Sequence, residues 1–250
     1  MDCIIQARMS STRLPGKVLM KIENEKTVLE FVLNQCKESK LLDRMIIATT
    51  NKIDDQEIVK VVKKLGFDYF CGNESDVLDR YYKCAKKFKS KHIMRITSDC
   101  PLIDPTVIDR VIKKYQSGKF DYVSTSPPQT FPWGISVEIF SFKALKNIWK
   151  NAKIPSEREH VTPYFYKNPK KFKIFVVKNK IQLTNIRISV DRKNDLTLVR
   201  KVISKIKIRP ILLKSILKLS KSNPDLFKIN KSNIPNEGYL NSLKLDKNCC

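Results

Sequence analysis

The sequence predicts an α/β fold: a Rossmann-like, mostly parallel sheet covered by helices on both faces. Short β-branched runs (CIIQA, RMIIATT, HIMRIT, DYVST) alternate with longer segments whose apolar residues recur at helical spacing. A chain of 250 residues that is 42% hydrophobic can also bury one sizeable core.

Taken in chain order, the opening residues Met1 to Gln6 read as a first strand. They lack the basic and apolar regions of a secretory signal, and lysines interrupt every apolar run well short of the roughly 20 residues of a spanning helix. A soluble, cytoplasmic protein is expected. Helices are predicted at 27–38, 54–65, 76–88 and 105–117, the last with Asp104 as cap ahead of Pro105. After Thr125 the character changes to Pro127-Pro128 and Phe131-Pro132-Trp133-Gly134, then a strand at 135–140 and helices near 142–150 and 156–167. This stretch, 126–170, reads as an insertion at one edge of the sheet. Residues 172–190 return to strand composition, ending in IRISV, and Asp191 opens a helix to about Ile206. The expected division is a main α/β domain at 1–207 and a peripheral helical appendage and tail at 208–250.

The formal charge of +24 raises the possibility of a nucleic-acid partner. Only 11 of the 49 basic residues are arginine, however, and the lysines are spread over nearly every predicted helix, so a lysine bias accounts for the charge better than a binding stripe. None of the seven cysteines shows the C-x-x-C spacing of a zinc site, and Cys249-Cys250 reads as an oxidisable end. With two histidines in the chain, no Ser-His-Asp or Cys-His arrangement stands out, and His92 reads as structural.

In parallel α/β sheets ligands bind beyond the carboxyl ends of the strands. The loop after the first strand is the informative one: Arg8, Arg13 and Lys17 among Ser10, Ser11 and Thr12, with a Pro15-Gly16 turn. Arginine forks, a lysine point charge, hydroxyls and backbone N–H groups together suit a triphosphate. The loop is neither G-x-x-x-x-G-K-[ST] nor G-x-G-x-x-G. Asp99 and Asp191 both follow β-branched runs, so both carboxylates fall at the same sheet edge, where a magnesium ion could join them to phosphate oxygens. Asp191 could equally cap the helix it opens, a role worth about 1 kcal/mol. At helical spacing Glu157, His160 and Tyr164 share one face, with Glu138 on the neighbouring strand, and read as an acceptor pocket.

The segment IIQARMSSTRLPGKVL resembles the opening signature of the cytidylyltransferase family, which includes CMP-ketodeoxyoctonate synthetases and acylneuraminate cytidylyltransferases, and it is most similar to the spore-coat polysaccharide branch. The blocks Asp76 to Tyr82, Arg95 to Pro105, Ser156 to Tyr164, Ser189-Val190-Asp191 and Asn236 to Leu240 extend the resemblance over almost the whole chain. It implies a nucleotide-diphospho-sugar transferase type of fold. It also implies transfer of CMP from CTP to a small acidic sugar or related acceptor with release of pyrophosphate, magnesium as cofactor, and a homodimer through 126–170. Nucleotide contacts are implied at Gln6, Ala7, Arg8, Ser10, Arg13, Lys17, Asp76, Arg80, Thr97 and Ser98. Arg8, Arg13, Lys17 and Asp99 are implied to be catalytic, and the resemblance favours Asp191 as a metal ligand with Asp99. Serines 10 and 98 stand where the branch commonly has glycine, and Ser136 where it has aspartate. The last departure falls in the acceptor segment. Two other readings are a glycosyltransferase using a nucleotide sugar and a nucleic-acid-binding α/β protein. No two of the fifteen aspartates are spaced Asp-x-Asp, which counts against the first, and no arginine-aromatic platform supports the second.

Overall fold

A computed structural model describes residues 1–247. Cys249 and Cys250 lie outside the described residues. The chain runs β1 (Asp2–Gln6), a 3-10 turn (Lys17–Leu19), the hairpin β2–β3 (Lys21–Glu23 and Lys26–Thr27), α1 (Val28–Lys37), β4 (Arg44–Thr50), α2 (Gln56–Lys64), β5 (Asp68–Gly72), α3 (Val77–Lys87), β6 (His92–Thr97) and α4 (Pro105–Gln116). It continues through β7 (Tyr122–Ser124), β8 (Glu138–Ser141), α5 (Phe142–Asn151), α6 (Pro155–His160), α7 (Pro163–Lys167), β9 (Ile174–Val176), α8 (Lys193–Lys205), α9 (Leu213–Ser222), a 3-10 turn (Pro224–Lys228) and α10 (Glu237–Asp246).

Seven strands form one sheet in the order β5-β4-β1-β6-β8-β7-β9, parallel except for β8. The expected α/β architecture is therefore present. Strand periodicity explains why both faces need helices: Cys3 and Ile5 of β1 enter the core on one face and Ile4 enters the core on the other. The helices start where local chemistry supplies caps. Thr27 and Glu30 form a capping box on α1, and Asp104 accepts the Thr106 N–H at 2.7 Å ahead of Pro105, as expected.

The β1/β6 register matters most for the site, because it runs to Gln6 opposite Thr97 and so ends the two strands side by side. The chain leaves β1 toward β4 on one side while β6 lies on the other, which makes this junction the switch point of the sheet.

Beyond β6 the elements depart from the sequence expectations. The strand expected at 135–140 forms over Glu138–Ser141, because the Val137 N–H donates to Thr125 Oγ1 in place of a strand carbonyl. The IRISV run makes a single bridge, Arg187 to Trp133, with the Ile188 N–H donating to the Trp133 carbonyl at 2.7 Å. Gly134 lets that segment in: at φ 107° a Cβ there would stand 2.7 Å from the Ser189 nitrogen. The helix expected at 156–167 breaks into α6 and α7 at Val161.

The segment after 207 is not peripheral. Ile211, Leu213 and Ile216 are buried in the same core as β1, the Leu213 N–H donates to Asp104 at 2.6 Å, and Gln35 joins the carbonyls of Ile103 and Ile211. Among the described residues no helix is long and apolar enough to cross a membrane.

Candidate active site

A cleft of about 780 Å³ opens at the carboxyl ends of β1 and β6. Its floor is the loop after β1, which is fixed from below. Leu14 is buried in the core, Gly16 turns the chain at φ 70°, and buried Asp55 accepts the Met9 N–H at 2.6 Å and the Thr50 hydroxyl. This leaves Arg8, Ser11, Thr12, Arg13 and Lys17 lining the cleft.

Lys17 is the hub. Its ammonium donates to Asp191 Oδ1 at 2.8 Å, Asp99 Oδ2 at 3.3 Å and the Val190 carbonyl at 2.7 Å, so one buried cation joins the ends of β1, β6 and the 186–190 segment. Burial pulls its pKa down, yet Asp99 and Asp191 outweigh that and the net shift is upward. Asp191 collects two further cations, Arg13 Nη2 at 2.6 Å and Arg187 Nη2 at 2.5 Å. Burial alone would raise its pKa, but Lys17, Arg13 and Arg187 bring it down to about 2. Asp191 does not cap α8: Arg192 holds the N-cap position, the Asp191 carboxylate bonds the three cations, and Asp195 takes the backbone N–H groups of Asp191 and Arg192 at 3.0 and 2.9 Å. Asp99 accepts from the Thr97 hydroxyl at 2.5 Å and keeps 27% of its side chain exposed.

Gln6, Ala7, Arg80, Thr97 and Ser98 line the same half of the cleft. Arg80 is almost fully buried, its Nε has no partner, and its Nη1 donates to the Asn73 carbonyl at 3.0 Å. Burial lowers its pKa, as expected of a cation held away from water. Two predicted nucleotide contacts lie elsewhere. The Ser10 hydroxyl turns to Glu74, and Asp76 caps α3 through the Asp79 N–H (2.9 Å) and pairs with Arg158. Neither lines the cleft.

The opposite half is built around a bent backbone. Val161 sits at φ 71°, ψ −55°, and the Thr162 N–H closes a γ-turn on the His160 carbonyl at 2.8 Å, a strained conformation for a β-branched residue. The turn points His160 and Thr162 into the cleft together. It also breaks the helical face on which Glu157, His160 and Tyr164 were expected to meet. Glu157 is buried beside Lys167 (3.7 Å), and Tyr164 accepts from Lys171 (3.3 Å) against Phe172; neither lines the cleft. Burial raises the Glu157 pKa.

Glu138 does line the cleft, but its carboxylate is already used. It pairs with Arg95 and accepts from Tyr122 at 2.5 Å and Thr162 at 2.6 Å. It fixes Arg95, which is largely buried and also donates to Gln6 at 3.2 Å. His160 Nε2 lies 2.9 Å from the Ser242 hydroxyl, which donates to Glu159 at 2.6 Å. Burial, opposed by Glu159 and reinforced by Arg95 and Arg8, lowers the His160 pKa to about 4, so the ring is neutral near pH 7. Tyr166, Glu159 and Thr162 complete this half with Asn236 to Tyr239, Asn241 and Ser242 of the tail. The sequence reading missed these, together with Arg95 and Arg187. Alternation along β6 places Arg95 on the same side as Thr97 and could have revealed it, whereas nothing local announces the turn at Val161.

Residues 3–233 match the cytidylyltransferase family. An uncharacterized protein of Methanocaldococcus jannaschii is 39% identical over 238 residues, spanning 94% of this chain and 96% of its own. The spore coat polysaccharide biosynthesis protein SpsF of Bacillus subtilis is 30% identical over 232 residues, spanning 89% and 94%. Among solved structures, a cytidylyltransferase from Leptospira borgpetersenii superposes with a TM-score of 0.86 at 31% identity, covering 90% of this chain and 95% of that one.

Proposed function

The chain belongs to the cytidylyltransferase family and is a CTP-dependent nucleotidyltransferase, and we propose that it transfers CMP to a small acidic sugar or related acceptor for surface polysaccharide or glycoconjugate synthesis. An acceptor oxygen attacks the α-phosphorus in line. The bond from that phosphorus to the bridging oxygen of the β-phosphate breaks, pyrophosphate leaves, and the acceptor's proton passes to solvent.

The observation that carries this reading is the strand-end network, in which Lys17 and Arg13 converge on Asp191 at the floor of the cleft, next to Asp99. Positioning and electrostatics are what such a reaction asks of a protein. Arg13 and Lys17 suit the leaving pyrophosphate, and Arg8 and Arg80 the rest of the triphosphate. Arg80's unpartnered Nε supports an anion in that half. Gln6, Ala7, Thr97 and Ser98 border the place of the nucleoside.

The donor set fits magnesium. Asp99 and Asp191 are hard oxygen ligands held by one ammonium, and among the described residues no cluster of three or more His, Cys, Asp or Glu could hold a metal unaided. Magnesium commonly takes one or two carboxylates and completes its shell with substrate phosphates and water. The floor cations are already paired with carboxylates, so a magnesium ion held by Asp99 and Asp191 would supply the further positive charge that a triphosphate needs. A cytoplasmic homodimer through 126–170 belongs to the same proposal.

The test is pyrophosphate release from magnesium, each of the four ribonucleoside triphosphates, and a panel of 2-keto-3-deoxy sugar acids, nonulosonic acids, phosphonates and sugar phosphates. Release with CTP and an acidic acceptor together is the expected result. Release with UTP and a sugar 1-phosphate would overturn both the base and the acceptor.

A further inference from the structure

The outer wall of the cleft, between Arg13 and His160, is made by residues beyond 233, where the family match ends. Helix α10 provides most of it and is held mainly by polar contacts, since only Ser242 among its ten residues is buried. At its first turn Glu237 accepts from Arg192 at 2.8 and 3.0 Å and pairs with Arg13 at 3.4 Å. In its middle Ser242 bonds to Glu159 and His160. At its end Asp246 accepts from the Ser156 N–H at 2.8 Å and the Ser156 hydroxyl at 2.5 Å. Asn236, at φ 56°, turns the chain into the helix. An element with so little apolar burial opens at a fraction of the global stability.

Glu237 shares the guanidinium of Arg13 with Asp191. A polyphosphate that reaches Arg13 must compete with Glu237 for the same donors. We propose that α10 is a lid on the acceptor side of the cleft and that Glu237 is its latch: the triphosphate takes Arg13 from Glu237 and frees the lid for acceptor entry and pyrophosphate exit. The identity of that anion rests on the nucleotidyl-transfer reading. Linkage makes the lid reciprocal, because whatever loosens α10 must tighten CTP.

Hydrogen exchange of the full-length protein, with and without CTP, together with CTP calorimetry, tests this on the wild type, Glu237→Gln and Asp246→Asn. CTP should speed exchange in 237–246 by about three- to ten-fold while slowing it in 8–17. Glu237→Gln should speed exchange without nucleotide, abolish the response to CTP, and tighten CTP by about three- to ten-fold. Asp246 does not line the cleft, so tightening of CTP by about two- to three-fold in Asp246→Asn that persists at high salt, where the loss of its own charge is screened, comes through the lid. Exchange in 237–246 that CTP leaves unchanged or slows overturns the proposal. So does tighter binding in Glu237→Gln alone, which would be simple removal of a negative charge. An arm with inorganic pyrophosphate separates the two readings. A response to pyrophosphate without CTP binding keeps the latch and overturns the nucleotide assignment, while no response to either overturns the latch.

Discussion

Between Arg8 and Lys17 the chain places its cations by leaving one central strand, whereas between Glu159 and Tyr166 it places its polar groups by breaking a helix and laying the tail across the break. The first half of the cleft rests on buried strands, and a closed set of ion pairs around Asp191 fixes it. The second half rests on a strained turn at Val161 and on the polar contacts of α10. A half made of strand ends suits the substrate part shared by every reaction of the type, the triphosphate. A half made of short helices and a tail can change its shape without disturbing the sheet, which suits the part that varies, the acceptor.

The sharpest way to break this comparison is at the strand ends. Asp99→Asn keeps a partly exposed position and should fold with near wild-type stability while losing turnover by about a hundred-fold or more. Asp191→Asn should lose turnover and stability together, since Lys17, Arg13 and Arg187 each lose one of two carboxylate partners and keep only Asp99, Glu237 and Asp195, at a cost of about 1.5–3 kcal/mol. Thermal melting and steady-state kinetics on both variants check this, and wild-type turnover in Asp99→Asn would contradict it. Next in size is Arg13→Ala, which should weaken CTP by about ten- to a hundred-fold, the expected loss of one charge-assisted contact. Arg13 is the better probe than Lys17, because Lys17→Ala would also strip Asp99 and Asp191 of the cation they share.

The halves also differ in their response to pH. Asp191 is depressed, so its contribution is complete above about pH 4 and is lost as pH falls through about 2. His160 is also depressed, but as a base it acts from the other direction. The unfolded chain binds its proton from about pH 6.5 downward while the folded ring stays neutral to about 4, so stability declines over that window by about 2–3 kcal/mol. Denaturant melts between pH 7 and 4 should show that decline in the wild type and lose it in His160→Gln. An equal slope in both would place the loss elsewhere. The smallest effect sharpens the acceptor half: Tyr166→Phe should raise the acceptor KM by about three- to ten-fold, and Tyr164→Phe should leave it within about two-fold. The reverse ranking would restore the single helical face that the turn at Val161 abolishes.

What could be read in the sequence follows the same division. Strand alternation, capping at Thr27 and Asp104, and the placing of Arg13, Lys17, Asp99 and Asp191 at one sheet edge are local consequences of residue type and spacing. Side-chain direction within the loop was not readable, so Ser10 faces Glu74 while its neighbours Ser11 and Thr12 line the cleft. The acceptor half was misread because periodicity assumes an unbroken helix, and the break at Val161 is stabilised by distant partners. Thr162 bonds to Glu138, 24 residues away, and Ser242 reaches His160 from 82 residues away. The tail looked peripheral for a related reason: its sequence shows little periodicity, and its place over the cleft is set by Arg13, Arg192 and Ser156 rather than by an apolar stripe of its own.

The claim on which everything else rests is that the network around Lys17 and Asp191 is the triphosphate site. A crystal structure with CTP and magnesium, without acceptor so that no turnover occurs, tests it directly. Triphosphate oxygens should lie within hydrogen-bond distance of Arg13 and Lys17, with the nucleoside against Gln6, Ala7 and Thr97. A triphosphate bound away from Arg13 and Lys17, with the Lys17–Asp99–Asp191 contacts undisturbed and remote from it, would show that the network serves another purpose.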